Sequence, residues 1–274
     1  MEKTMIILSS KAENLRAIMP CATVEAEYGQ EVVQGSILTL AHHGPRSDRP
    51  CPALVGNLPE MGIKTIGISH LDLDTLGGIM AIKGCKFIST FWGVVAHVDL
   101  NGRHKAHLHP HWEVCKSVFY SFWAWSEKNR LQVSTEVRDV TMEVEQAIDV
   151  FNKILDGDET LKKEGDEWIK AQGSLNNESF VSESNGIIVR KSSKFVNHLY
   201  NTPSGGLCKA VLSFNIERKN ITLSVSDGDF NCCEIMQTVF GPSAGGHAGI
   251  AGSPRGQEMK LEDLDLVLRV INER

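Results

Sequence analysis

KTIGISHLDLDTLGGIMAIK, residues 64–83, decides the fold. Lys64–Ser69 is a short apolar run with β-branched residues, which reads as a buried strand, and Thr75–Lys83 reads as a helix in spite of its two glycines. Met5–Leu8 and Ser36–Ala41 are further short strands. The second runs into His42–His43–Gly44 and then a loop rich in Pro, Arg and Asp from Gly44 to Pro52. Another apolar run, Phe87–His97, follows and ends beside Asp99. Strands alternating with short helices predict an α/β domain built on a parallel sheet.

Downstream the period changes. Trp112–Lys128 carries Val114, Val118, Phe122 and Trp125 at helical spacing, and Met142–Leu155 is an amphipathic helix by the same test. Asp158–Ala171 is charged and predicts a more exposed helix. The apolar signal fades between Asp156 and Asn177, which marks a domain boundary. The expected division is a first domain over 1–160 and a smaller α+β domain over 175–274. Gly186–Val189, Lys209–Phe214 and Asn220–Val225 are its strands, and Glu234–Phe240 and Glu262–Ile271 its helices.

A length of 274 residues suits two domains, and 42% hydrophobic with 23% charged residues is a globular composition. The formal net charge of -6 argues against a partner of long duplex DNA, whose binding is driven by phosphate neutralisation. No stretch approaches the ~20 apolar residues of a membrane span, and the Met5–Leu8 run is too short for a signal segment. The seven cysteines form no CxxC pair. Together these features predict a soluble cytoplasmic protein with reduced thiols. The aromatic Val114–Trp125 helix suits either a homodimer contact or a core within one chain.

The chemistry centres on His70, Asp72 and Asp74. On an extended strand end, side chains at i, i+2 and i+4 point the same way, so these three would converge at the carboxyl edge of a parallel sheet, where α/β proteins bind ligands. An imidazole with two carboxylates suits Mn²⁺, Mg²⁺, Zn²⁺ or Fe²⁺. Gly77 and Gly78 would let the next helix approach closely. The competing reading leaves Asp72 solvated, Asp74 as an N-cap and His70 incidental. Eight of the ten histidines lie between 42 and 111, which favours the metal reading. His97-Val98-Asp99 repeats the i, i+2 spacing, making Asp99 a candidate bridging carboxylate of a two-metal centre. From the runs 42–43 and 104–111, His43 is a candidate ligand, with His42 as its alternative, and His104 a candidate catalytic imidazole. A second signal is Gly245-Gly246-His247 with Arg255. Glycine N–H groups there can cradle a phosphate, His247 can donate to it, and Arg255 can add a bidentate contact. A mobile surface loop accounts for the same glycines.

The two segments in this order resemble the DHH/DHHA1 phosphoesterase superfamily. His70-Leu71-Asp72-Leu73-Asp74 before Gly77-Gly78 is similar to that family's opening metal motif, and Gly245-Gly246-His247 with Ala251-Gly252 to its glycine-rich signature. No Asp-His-His triplet occurs, and its role falls by position to His104 or another imidazole up to His111. The resemblance implies a two-domain hydrolase. Its first domain would bind Mn²⁺ or a similar metal through His70, Asp72, Asp74, Asp99 and His43. Its second would hold a small phosphate-containing substrate or short oligonucleotide through Gly245, Gly246, His247 and Arg255. The missing triplet keeps open an inactive ligand-binding relative, and the excess of imidazoles a zinc-dependent amide or acyl hydrolase.

Overall fold

A computed structural model describes residues 4–28, 31–42, 46, 48–132, 135–227, 230–246, 248–254 and 257–273. The chain is a mixed α/β protein of two compact units, one of residues 1–101 and 105–168, the other of 102–104 and 169–274.

The first unit contains β1 (Met5–Leu8), α1 (Ala12–Arg16), β2 (Ala22–Val24), β3 (Glu27–Tyr28), β4 (Glu31–Val32), β5 (Leu38–Leu40), β6 (Thr65–Ile68), α2 (Leu73–Ile82), α3 (Ser89–Asn101), α4 (Trp112–Lys128), β7 (Arg138–Asp139) and α5 (Thr141–Leu155). Its main sheet has the order β5-β2-β6-β1-β7. The first four strands are parallel and β7 is an antiparallel edge. Both faces of this sheet are covered. Ile6, Leu8, Ile66 and Ile68 join the large core with α2, α3 and α5, while Ile7 turns to a smaller cluster around Leu15 of α1. This is the period-two alternation of a strand buried on both sides.

The run Phe87–His97 is not a strand. It lies almost wholly in α3, where Phe91, Trp92, Val94, Val95, Ala96 and Val98 are all buried. A helix apolar nearly all round carries no amphipathic period, so its sequence cannot be told from a buried strand by pattern alone.

The expected boundary region is also helical. The helix α6 (Glu159–Glu178) runs without a break from residue 168 of the first unit to residue 169 of the second. Asp158 starts it by accepting from the N–H groups of Thr160 at 2.9 Å and Leu161 at 3.0 Å.

The second unit contains β8 (Phe180–Ser184), β9 (Ile187–Ser192), β10 (Ala210–Asn215), β11 (Asn220–Val225), α7 (Cys232–Phe240), β12 (Gly245–Gly246), β13 (Ile250–Gly252) and α8 (Asp263–Asn272). The sheet order is β12-β13-β11-β10-β9-β8, with only β9 and β10 parallel. Leu212, Phe214, Ile221 and Leu223 pack on Ile235 and Met236 of α7 and on Leu264 and Val267 of α8. The other face is organised by Arg190, which is 0% exposed. Its Nε donates to Leu199 O at 2.8 Å, Nη1 to Asn176 O and Ser179 Oγ, and Nη2 to Asn176 Oδ1 and Asn201 O at 2.7 Å each. All five guanidinium donors are thus used. Burial pushes its pKa down to about 10.

Among the described residues, no helix is long and apolar enough to cross a membrane. All seven cysteines are free thiols.

Two outcomes follow for the second unit. Arg190→Met leaves the carbonyls that it gathers without their donor, at a cost on the order of 3 kcal/mol. Amide exchange in β9 and β10 is then expected to accelerate by about two orders of magnitude; unchanged protection would refute this role. His198 is the second case. Burial first, then the charges of Arg103, Arg190 and His104, push its pKa down to about 3 from 6.5. The unfolded chain therefore takes up the proton before the folded one does. Stability is full above pH 6.5 and is lost as pH falls from there towards 3. Denaturant midpoints across that range should slope less in His198→Gln than in the parent, and equal slopes would contradict the assignment.

Candidate metal centre

Four side chains from separate elements meet at the carboxyl edge of the parallel sheet. His42 stands two residues beyond β5, Asp74 in the first turn of α2, Asp99 near the end of α3, and Cys51 immediately before a 3-10 turn over Pro52–Leu54. One donor atom from each lies within 4.8 Å of all the others. His42 Nε2 is 3.0 Å from Asp99 Oδ2 and 3.4 Å from Asp74 Oδ2. His42 is 4% exposed, Asp74 3% and Cys51 2%. A fifth group borders the set: Glu25, directly after β2, has its Oε1 3.7 Å from His42 Nε2.

The local sequence builds this arrangement. Asp72, with extended backbone, caps α2 by accepting from Thr75 N at 3.2 Å and Thr75 Oγ1 at 2.8 Å. The cap starts the helix at Leu73, and the helix turns Asp74 inward. Gly77 and Gly78 then bring α2 against its neighbours. A Cβ on Gly78 would stand 2.6 Å from Val24 Cγ1 and 2.9 Å from Pro52 Cβ, and one on Gly77 2.9 Å from Ala53 Cα. The glycine pair therefore seats both β2 and the turn that carries Cys51. Glu25 holds a left-handed φ of 46°, a conformation that costs energy for a non-glycine residue. It is fixed there by its N–H to Leu40 O at 2.9 Å and by the Ser69 hydroxyl, which donates to Glu25 O.

The charge balance is one-sided. Burial, then the Asp72 and Asp99 carboxylates, push the Asp74 carboxyl well above its ordinary range. Burial, then Asp74, push the Cys51 thiol upward too, with Asp99 and Glu25 adding to it. Asp74 Oδ2 is buried and makes no hydrogen bond among the described residues. A cation among these donors would offset their charge and reverse the pKa logic of every donor around it. The separations of His42 Nε2 from Asp99 and Asp74, 3.0 and 3.4 Å, are near the roughly 3.4 Å between donors on one tetrahedral ion with bonds of about 2.1 Å. The cluster can therefore hold a metal ion, with one nitrogen, one sulfur and two carboxylate donors.

Of the residues expected from sequence, Asp74 and Asp99 belong to this cluster. His70 and Asp72 do not. They pair with each other at 3.1 Å, with side chains 42% and 48% exposed. The i, i+2, i+4 convergence fails because β6 ends at Ile68 and Asp72 begins a helix, so the segment is not extended. Asp99 arrives from a helix rather than from a strand end, and His97, about 200° away around that helix, turns instead to Lys105 O at 3.0 Å. His43, His247 and Arg255 lie outside the described residues. His104 falls in the second unit, where its Nε2 donates to Ser226 O at 3.0 Å and its ring packs on Tyr200. His109 stacks near His97 and His111 and is not in the cluster. Gly245 and Gly246 pair in the ladder with Gly252 and Ala251. A Cβ on Gly246 would meet Ile250 O at 2.4 Å, so close strand packing alone requires that glycine.

His42 was legible as the alternative to His43. Cys51 was missed: a single cysteine in a Pro-rich loop carries no spacing signal, and its only cue is that the loop follows a strand ending in two histidines.

No family model matches this chain, and no curated protein does. Among solved structures it is similar to an uncharacterized protein from Helicobacter pylori G27, at 12% identity over 89% of this chain and 77% of that one, with a TM-score of 0.25.

Asp74 and Asp72 separate the two aspartate roles. Asp74→Asn is expected to abolish bound divalent metal in elemental analysis. Asp72→Ala should keep the metal and lose about 1 kcal/mol of stability, as removal of a cap does. Metal loss in the second variant alone would reverse the assignment. Gly78→Ala should cost about 1–3 kcal/mol in denaturant unfolding, because Val24 and Pro52 have to move; a neutral result would mean that the glycine is not needed for close approach.

Proposed function

We propose that this chain is a metal-dependent phosphohydrolase that cleaves a phosphoester or phosphoanhydride of a small substrate, such as a nucleotide or short oligonucleotide, and is a divergent relative of the DHH/DHHA1 phosphoesterases. The observation that carries the reading is the cluster of buried His42, Cys51 and Asp74 with half-buried Asp99 at the carboxyl edge of a parallel sheet. These four residues would hold a divalent ion: Mn²⁺, Mg²⁺, Zn²⁺ or Fe²⁺. Such an ion lowers the pKa of water to near neutrality and offsets charge on a phosphoryl oxygen.

The remaining roles fall to the chain itself. Glu25, whose Oε1 lies 3.7 Å from His42 Nε2, adds a further carboxylate at the border of the donor set. Gly245, Gly246, His247 and Arg255 of the second unit are the sequence's candidates for contact with a phosphate group. Cys51 favours one competing reading, a zinc-dependent amide or acyl hydrolase that uses the same donors.

The test is release of phosphate or nucleotide from short oligonucleotides, nucleotides and pyrophosphate with each divalent ion in turn. Metal-stimulated release is expected, falling by more than about 100-fold in Asp74→Asn, since outer-shell changes alone cost 10–100-fold. No release from any of them, with turnover of amide or acyl esters instead, would move the assignment to the competing class. No turnover at all would leave a binding protein.

A further inference from the structure

We infer that Cys51 is itself a metal ligand, which makes the centre a thiolate site selective for a borderline-soft ion such as Zn²⁺, Fe²⁺ or Co²⁺ over Mn²⁺ and Mg²⁺. The inference rests on the metal-centre reading above and narrows it.

Three observations carry it. The Cys51 sulfur shares the 4.8 Å donor set with His42, Asp74 and Asp99. The residue is 2% exposed and packs against the apolar core, yet its sulfur also faces His42, Asp74 and Asp99. The turn that carries it is clamped in place. Leu54 N donates to Cys51 O at 2.8 Å, and Pro52 and Ala53 occupy the space that any side chain at Gly77 or Gly78 would need. The glycines of the motif thus position the thiol as well as the helix bearing Asp74. A packed thiol acting only as a small apolar group would have no need of that register beside two carboxylates.

The selectivity follows from ligand softness. Carboxylate, carbonyl and water suit Mg²⁺ and Mn²⁺, while thiolate favours zinc and iron. Binding requires the thiolate, so the Cys51 proton leaves to solvent as the ion enters.

Cobalt is the probe. Metal-free protein titrated with Co²⁺ should show visible ligand-field bands of a low-coordinate site together with a near-ultraviolet thiolate-to-cobalt charge-transfer band. In Cys51→Ser the charge-transfer band should be lost and the ligand-field bands kept. Zinc affinity should fall by more than about tenfold, the low end of what even outer-shell changes cost, with Mn²⁺ affinity little changed. X-ray absorption of the zinc-loaded parent protein, which needs no variant to fold, should show one sulfur at about 2.3 Å. Ligand-field bands without charge transfer, and zinc without sulfur, would overturn the role of Cys51 while leaving the metal centre standing. Failure of the folded parent to bind cobalt or zinc would overturn both.

Discussion

Three carboxylates and a thiol gather around one imidazole, most of them out of water, and a divalent cation at their centre would balance that donor set. Taking an ionised carboxylate into a low-dielectric interior is costly, and such groups shift their pKa towards the neutral form. The upward shifts of Asp74 and Cys51 are that response in the metal-free chain. The surrounding structure is arranged to hold the donors together in spite of it. Glu25 is kept in a left-handed conformation, Asp72 is used as a cap so that Asp74 turns inward, and two glycines remove the volume that would separate α2 from β2 and the Cys51 turn.

The parallel sheet explains why these residues can meet. Strands β5, β2 and β6 are neighbours and end on the same edge, so the residues just after each of them, His42, Glu25 and the Ser69–Asp74 segment, are delivered to one place. The helix α3 contributes Asp99 from outside the sheet. Each donor thus comes from a different element, and the cluster depends on the packing of the whole first unit more than on any one motif. The second unit stands on a core of its own, with Arg190 tying β9 to the segments around Asn176 and Leu199.

Much of the fold was legible because its strands are short apolar runs and its later helices are amphipathic. Trp112–Lys128 and Asn220–Val225 fall where their periods predict. The charged Asp158–Ala171 stretch is the exposed helix its composition predicts, whereas the apolar run Phe87–His97 lacks a distinct period because it is buried nearly all round, and it too is helical. The site was legible in part. Treating residues 70–74 as extended placed His70, Asp72 and Asp74 on one side, but the helix begins at Leu73 and separates them. Asp99 was found from its position after an apolar run, although that run is helical. Cys51 and Glu25 join the site through tertiary packing, and no spacing pattern in their local sequence marks them.

The most direct test of the metal centre is anomalous diffraction from crystals of the full chain grown with a divalent metal, recorded on either side of that metal's absorption edge. An anomalous peak is expected within the set formed by His42 Nε2, Asp74, Asp99 and Cys51 Sγ. A peak at the exposed His70–Asp72 pair, or none inside the four-residue cluster, would contradict it.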